Sequence, residues 1–302
     1  MNFWIQLFIG VATLGLLVLI WATLIERRLF TVVHAPIEIL APGSKEITVL
    51  QIGDIHLAPW QKRKIRWLRA LANLQPDLVV DTGDNLGHAK AIDPLLFALE
   101  PLLKLPGVFV NGSNDYHAPT PRNPFTYLFN PSEVGAGAPL DTASMVSAFE
   151  KAGWRNLNNQ ATTLEVSGIQ IGFLGVDDAH ENLDRIESLA VQRLQIAEPV
   201  KQLFGLTHAP YRRVIDGMLQ QGVEVLFAGH THGGQVCIPS FGALVTNCDL
   251  PRQYAKGWSL WSGFGNSLAL SVVAGLGNSI FAPVRLACRP EVRLITLRAK
   301  QE

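Results

Sequence analysis

The chain passes through three regimes of apolar and polar patterning. The first is a run from Leu7 to Ile25 with no charged residue. At about 1.5 Å per residue it nearly spans a hydrocarbon core ~30 Å thick. Trp4 and Trp21 stand where interfacial aromatics would, and Glu26, Arg27 and Arg28 end the run. A secretory leader is the alternative. It calls for positive charge ahead of the run, a shorter run and a small-x-small cleavage site, and none is evident. The expectation is an uncleaved, single-pass anchor over residues 1–28 in the cell membrane. No Lys or Arg precedes the run and two Arg follow it, which puts the C-terminal domain on the cytoplasmic face.

Residues 29–45 read as a linker, and 46–302 as one domain in which strands and helices alternate. "EITVLQIGD" (46–54), "PDLVVDTGDN" (76–85) and "GVFVNGSND" (107–115) are strands that each end in a polar turn. Helices over 62–74 and 93–105 separate them; the first carries Ile65, Leu68, Leu71 and Ala72 on one face. Residues 117–139, rich in Pro and Gly, predict a long loop, followed by a helix near 141–152. "TTLEVSGIQIGFLGVDD" (162–178) predicts a hairpin about Ser167-Gly168. A helix near 184–198, a strand ending at "LTHAP", a helix over 211–222 and the strand "VEVLFAGHTH" follow. The third regime, from 238 onward, is short β runs, of which "ALSVVAGLG" and "VRLITLR" are the clearest. Alternation followed by late antiparallel strands predicts a layered α/β or α+β domain with mixed sheets.

Composition narrows the class. Of 302 residues 48% are hydrophobic and 17% charged, which is a globular chain with a sizeable core. Lys+Arg equals Asp+Glu, so net charge selects no partner. Three cysteines without CxxC spacing fit a reducing compartment and exclude a zinc-knuckle or redox-motif reading.

The unusual residues gather at strand ends: Asp54 and His56; Asp84 and Asn85; Asn114 and Asp115; Asp177 and Asp178; His208; His230 and His232. Each alone has an ordinary explanation. Asp caps helices, Asn-Asp builds turns, and a lone His is usually a satisfied polar residue. Their recurrence after successive apolar β runs is what points to one site, because layered α/β folds build sites at the carboxyl ends of strands. Mixed Asp, His and Asn ligands suit Mn, Fe, Zn or Ni rather than Ca or a structural zinc. One carboxylate has two oxygens and can bridge two cations ~4 Å apart.

These residues resemble the calcineurin-like metallophosphoesterase superfamily, whose signature runs D-x-H, G-D, G-N-H-D/E, H, G-H-x-H. The matches are "GDIH" (53–56), "GDN" (83–85), "GSND" (112–115), "THAP" (207–210) and "GHTH" (229–232). "GHTHGGQVCIP", "GVDD" and the closing "AGLGNSIFAPVRLACRPEVRLITLR" look like a membrane-anchored bacterial branch, some of whose members act on lipid-linked pyrophosphates. The resemblance implies a four-layer αββα sandwich of two mixed β-sheets and two divalent metal ions. By motif position Asp54, His56 and His232 would hold the first ion and His208 and His230 the second, with Asp84 bridging. Asp84, Asn114 and Asp115 are the candidate catalytic positions.

One motif departs from the pattern. G-N-H-D reads G-S-N-D here, so in register Ser113 replaces the metal-binding Asn and Asn114 the catalytic His. If the turn shifts by one residue, Asn114 binds the second metal and the His function is lost or passes to His117; Asn111 lies earlier in the strand. Asn114 is the better ligand, because a Ser hydroxyl is a poor neutral one. Asn cannot donate a proton as imidazolium does, so a pyrophosphate or aryl leaving group fits better than an alkoxide.

Substrate clues are fewer. "QKRKIRWLRA" (61–70) holds Lys62, Arg63, Lys64, Arg66 and Arg69 beside Trp60 and Trp67, either a solvated face or a rest on anionic headgroups. "GWSLWSGFG" (257–265) places Trp258, Trp261 and Phe264 in core or at an acyl-chain entrance. The expected function is a membrane-anchored dinuclear phosphoesterase that cleaves a phosphodiester or pyrophosphate. Its expected partners are the lipid bilayer and a phosphorylated, lipid-linked substrate. Nucleic acid is disfavoured by the neutral charge, and no protein partner is implied. A cyclic-nucleotide phosphodiesterase and a non-catalytic phosphate-binding protein are the alternatives.

Overall fold

The computed structural model describes residues 2–121, 137–196, 200 and 202–301. Two six-stranded mixed sheets lie face to face. The first has the order β1 (Thr31–Leu40), β14 (Glu291–Ala299), β2 (Ile47–Ile52), β3 (Leu78–Asp81), β4 (Gly107–Phe109), β5 (Arg155–Asn156). The second runs β12 (Gly257–Gly263), β13 (Asn266–Val272), β9 (Val225–Ala228), β8 (Gln202–Leu206), β7 (Ile169–Gly175), β6 (Ala161–Val166). A two-stranded ribbon, β10 (Cys237–Ile238) with β11 (Gly242–Ala243), stands apart.

The central strands β2, β3 and β4 are mutually parallel, as are β7, β8, β9 and β13. Such strands are covered on both faces and therefore read as near-continuous apolar runs. Three cores fill the layers. Helices α2 (Lys62–Ala70), α3 (Ile92–Leu99) and α4 (Thr142–Lys151) pack Leu68, Leu95 and Phe149 on the outer face of the first sheet. Val49, Val80, Val108, Phe173, Phe204 and Phe227 fill the space between the sheets. Helices α5 (Leu189–Leu194) and α6 (Arg212–Gln220) cover the far face of the second sheet with Leu189, Val214 and Met218. This is the four-layer αββα sandwich of two mixed sheets that the patterning and the resemblance led one to expect.

Helix α1 (Phe3–Ile20) buries none of its side chains in the chain, and by length and composition the stretch Phe3–Arg28 suffices to cross a membrane. The stretch expected to be a linker is corrected: its residues Thr31–Leu40 form β1, which pairs in parallel with β14 from Thr31↔Glu291 onward and buries Ile39 and Leu40 between the sheets. Its alternation is weak and Pro36 interrupts it, which suits an edge strand. Most of the loop expected over 117–139 lies outside the described residues.

A buried polar clasp ties the sheets near the ends of their central strands. Gln51 Nε2 donates to the carbonyls of Ala228 (3.0 Å) and Ser271 (3.2 Å), and Ser271 Oγ donates to Gln51 Oε1 (2.6 Å). Phe227 lies between the sheets with its ring edge-on to Phe204 at 5.9 Å. Phe227→Ala should cost about 3–5 kcal/mol, read from the urea midpoint of the full chain in detergent. A loss below about 1 kcal/mol would show that the inter-sheet space is not packed around this ring.

Candidate metal centre

The loops that follow β2 and β3 run as a pair. Asp54 N donates to Gly83 O (2.8 Å), His56 N to Asp84 O (2.9 Å) and Leu57 N to Asn85 O (2.8 Å). Asp54, His56, Asp84, His230 and His232 all adopt left-handed backbone, with φ of 45°, 42°, 58°, 69° and 51°. For side chains with a Cβ this costs roughly 1–2 kcal/mol each, and such strain collects at functional sites. It persists here because the surroundings over-determine it. The Asp115 carboxylate accepts four backbone N–H bonds, from Asp84, Asn85, Leu86 and Gly112, at 2.8–3.1 Å. The Asp54 carboxylate accepts His230 N at 3.0 Å, which links a loop of the first sheet to one of the second. Gly112 sits so close to Asp84 and His208 that a Cβ would collide with both.

Backbone carbonyls fix the histidine tautomers, since a carbonyl can only accept. His208 Nδ1 donates to Thr82 O (2.8 Å), His230 Nε2 to Asn247 O (3.1 Å) and His232 Nδ1 to Gly277 O (3.2 Å). The lone pairs left over are on His208 Nε2, His230 Nδ1 and His232 Nε2, the arrangement that backbone carbonyls impose on metal-ligating imidazoles. Among the described residues the buried His208 Nε2 has no hydrogen-bond partner. It lies 3.6 Å from Asp84 Oδ1. His56 Nε2 lies 3.3 Å from Asp84 Oδ2 and 3.1 Å from His232 Nε2, which in turn is 3.6 Å from Asp54 Oδ1. Ligand atoms of Asp54, His56, Asp84 and His232 all fall within 4.8 Å of one another. Nitrogen and oxygen lone pairs crowded out of water need a cation or protons among them. The donor set fits a divalent cation of the Mn, Fe, Zn or Ni kind.

The electrostatics agree. Burial alone would lower His208, but the carboxylates of Asp84, Asp178 and Asp54 override it and hold the ring at about 9. Burial alone would raise Asp84, but His208 and His56 hold it well below the usual carboxylate range. Burial lifts Asp54 well above that range. Burial lowers His56 to about 4 and presses His230 and His232 well down, with His180 and His56 respectively adding to the effect.

All seven residues expected to bind metal meet at this end of the sandwich. In the GSND turn it is Asn114 that touches Asp84: its backbone N and Nδ2 donate to Oδ1 and Oδ2, both at 2.8 Å. Asn111 is engaged elsewhere, with Tyr116 and Asn158. His117 faces Glu181 at 3.9 Å. Asp115, expected to be catalytic, is corrected to a brace: it is fully buried and both its oxygens are filled by backbone donors. Three neighbours were not singled out from sequence. His180 lies with its ring centroid 4.7 Å from that of His230; it follows a strand end in "DDAH", so the same rule would have found it. Asn247 comes from an irregular segment without any pattern, and Arg285 lies unremarked inside the closing motif "AGLGNSIFAPVRLACRPEVRLITLR".

Cation uptake should compete with the proton on His208. Raising the pH toward about 9 removes that proton, so affinity should rise with pH and binding should release protons into weakly buffered solution. A calorimetric titration in two buffers of different ionisation enthalpy measures this; pH-independent affinity between about 6 and 9 would contradict it.

The sequence pattern of calcineurin-like phosphoesterases matches residues 47–234, more than half of the chain. An uncharacterized protein, YpbG, of Bacillus subtilis (strain 168) is 25% identical over 84% of this chain and 82% of its own. A transmembrane protein with metallophosphoesterase domain from Bos taurus is 22% identical over 89% of this chain and 57% of its own. Among solved structures, a 5'-nucleotidase precursor from Thermus thermophilus superposes with a TM-score of 0.49 at 13% identity, over 83% of this chain and 55% of that one. The chain thus spans little more than half the length of the last two. The matched family and the ligand cluster together make this chain a member of the calcineurin-like phosphoesterases, a metal-dependent phosphoester hydrolase.

Proposed function

We propose that the chain is a membrane-anchored dinuclear phosphoesterase that cleaves a phosphodiester or pyrophosphate bond in a lipid-linked substrate. Asp54, His56, Asp84 and His232 would hold one divalent cation; Asp84, Asn114, His208 and His230 would hold the second. The observation that carries the reading is the sharing of Asp84: one oxygen faces His56 and the other faces His208, at 3.3 and 3.6 Å. Divalent cations held by these residues would lower the pKa of a water toward neutrality and draw charge off phosphoryl oxygens. The chain's own residues do the positioning. Asn114 grips both oxygens of Asp84, and Asp115 fixes the backbone that carries Asp84 and Gly112. Glycine at 112 keeps the space beside Asp84 and His208 clear.

Substrate chemistry is argued from what surrounds the site. No imidazole stands at position 114 to protonate a leaving group, which favours one that departs as a stable anion. A cavity of about 1100 Å³ reaches Asn247, the residue that holds His230. Its wall mixes apolar side chains, Ile238, Phe241, Val245 and Leu250, with polar ones, among them Thr246, Gln253, Arg252 and Lys256. That combination suits an amphipathic phosphorylated molecule. The entrance expected from Trp258, Trp261 and Phe264 has less support: Trp258 packs against the inter-sheet core, Trp261 donates to Asp216 (2.9 Å), and only Phe264 is exposed. Of the five basic residues in α2, Lys64 is buried on Ile55 O (2.7 Å) and Arg69 bonds Phe97 and Glu100. Lys62, Arg63 and Arg66 remain for anionic headgroups, beside the exposed Trp60.

Asp84→Asn should lower turnover more than about a hundredfold in metal-stripped full chain reloaded with Mn, Fe, Zn or Ni; retained turnover would end the bridging reading. On a panel of lipid-linked and nucleotide substrates, esters with aryl or pyrophosphate leaving groups should be cleaved far faster than alkyl diesters. Equal rates on a nitrophenyl and an alkyl diester would overturn the assignment of a leaving group that needs no acid.

A further inference from the structure

The end of the apolar N-terminal helix does not stop at the domain surface. Ala22 and Glu26 are only 3% and 4% exposed, whereas α1 before them is bare. The Ala22 carbonyl accepts Arg285 N at 3.1 Å. Glu26 has both carboxylate oxygens engaged: Oε1 accepts Cys288 N at 2.7 Å, and Oε2 accepts Trp21 Nε1 at 2.7 Å. The segment from Arg285 to Cys288 is thereby pinned at both ends by the helix terminus.

That segment abuts the metal ligands. Arg285 is fully buried, and its guanidinium donates to the carbonyls of Ala274 (2.7 Å), Gly277 (2.7 Å) and His232 (3.4 Å). Gly277 O is the same carbonyl that accepts His232 Nδ1, and so fixes which ring nitrogen faces the cluster. The backbone N–H groups of Leu276 and Gly277 both reach back to Asp54 O. Cys288 Sγ rests on His232 O at 3.3 Å. An unbroken series of buried hydrogen bonds thus runs from Glu26 through Cys288 and Arg285 to Gly277, and from there to His232 and Asp54. A carboxylate buried at the end of an apolar run, bonded to a peptide N–H and to the indole one turn before it, is costly; holding this series in place accounts for it.

We propose that residues 21–26 are a permanent part of the catalytic domain, and that Glu26 is a positioning residue for the first metal: through Arg285 and the Gly277 carbonyl it sets the orientation of His232. The inference rests on the metal-site reading above. It also separates the two origins of the N-terminal helix. A cleaved leader would remove Trp21 and Ala22, leaving Arg285 N and Glu26 Oε2 buried without their partners; a retained helix keeps them.

The full chain in detergent micelles tests this, with Mn²⁺ and Co²⁺ as probes. The mature protein recovered from membranes should have the mass of a chain that still contains residues 21–26. Glu26→Ala should weaken Mn²⁺ binding about tenfold, the usual scale for a partner behind a metal ligand, and should shift the visible absorption of the Co²⁺-loaded protein. Trp21→Phe, which removes one hydrogen bond but keeps the bulk, should move both readings in the same direction by less, and carries the test if Glu26→Ala does not fold. Leu17→Ala, on the bare part of the helix, should change neither. If the unmodified protein binds neither ion, the metal-site reading itself fails. If it binds both, and the two variants match it in affinity and spectrum, the positioning role is overturned, even where melting falls. A mature chain that begins beyond residue 21 overturns it as well.

Discussion

Two imidazoles, from His56 and His208, approach different oxygens of one buried carboxylate, that of Asp84. Most of the local architecture exists to make that arrangement tolerable. An ionised carboxylate is costly away from water unless charge or hydrogen bonds compensate it. Asn114 supplies two donors, and the histidines supply the charge or accept the cation. The backbone at Asp84 is left-handed, so four N–H groups around it are gathered onto Asp115. Gly112 must be a glycine because the carboxylate and the His208 ring fill the place where its Cβ would stand. Motif positions that look independent along the chain are mutually required in space.

What could be read from the sequence follows from this. Apolar runs covered on both faces stand out by composition, so β2, β3, β4, β8 and β9 and the helices between them were legible. The chemistry sits at their ends and was legible with them. Asp115 was misjudged because a carboxylate that braces a loop and one that performs chemistry are the same letter at the same strand end. Its occupancy by backbone N–H groups exists only in three dimensions. β1 was missed because an edge strand needs less apolar character, and its partner β14 lies some 260 residues later in the chain. Asn247 and Arg285 carry no periodic signal: each acts through a contact that the irregular stretch after β9 makes on folding.

The departure of G-S-N-D from the family pattern takes on a definite meaning in the structure. Asn114 does not leave a gap where an imidazole would stand; its Nδ2 donates to Asp84 Oδ2. With its backbone N–H, this residue places two hydrogen bonds on the central carboxylate. The cavity beside Asn247 and the helix that leads into the domain both lie within one or two contacts of the same histidines, His230 and His232.

The candidate ligands divide between the two halves of the sandwich. Asp54, His56, Asp84 and Asn114 extend from the first sheet, and His208, His230 and His232 from the second. Below them the Gln51–Ser271 clasp and apolar side chains cross the seam. A cation held by Asp54, His56 and Asp84 from one half and by His232 from the other would act as a rivet through two plates. Shear between the plates would pull such coordination apart, so the packing of the inter-sheet core also sets how accurately these side chains meet.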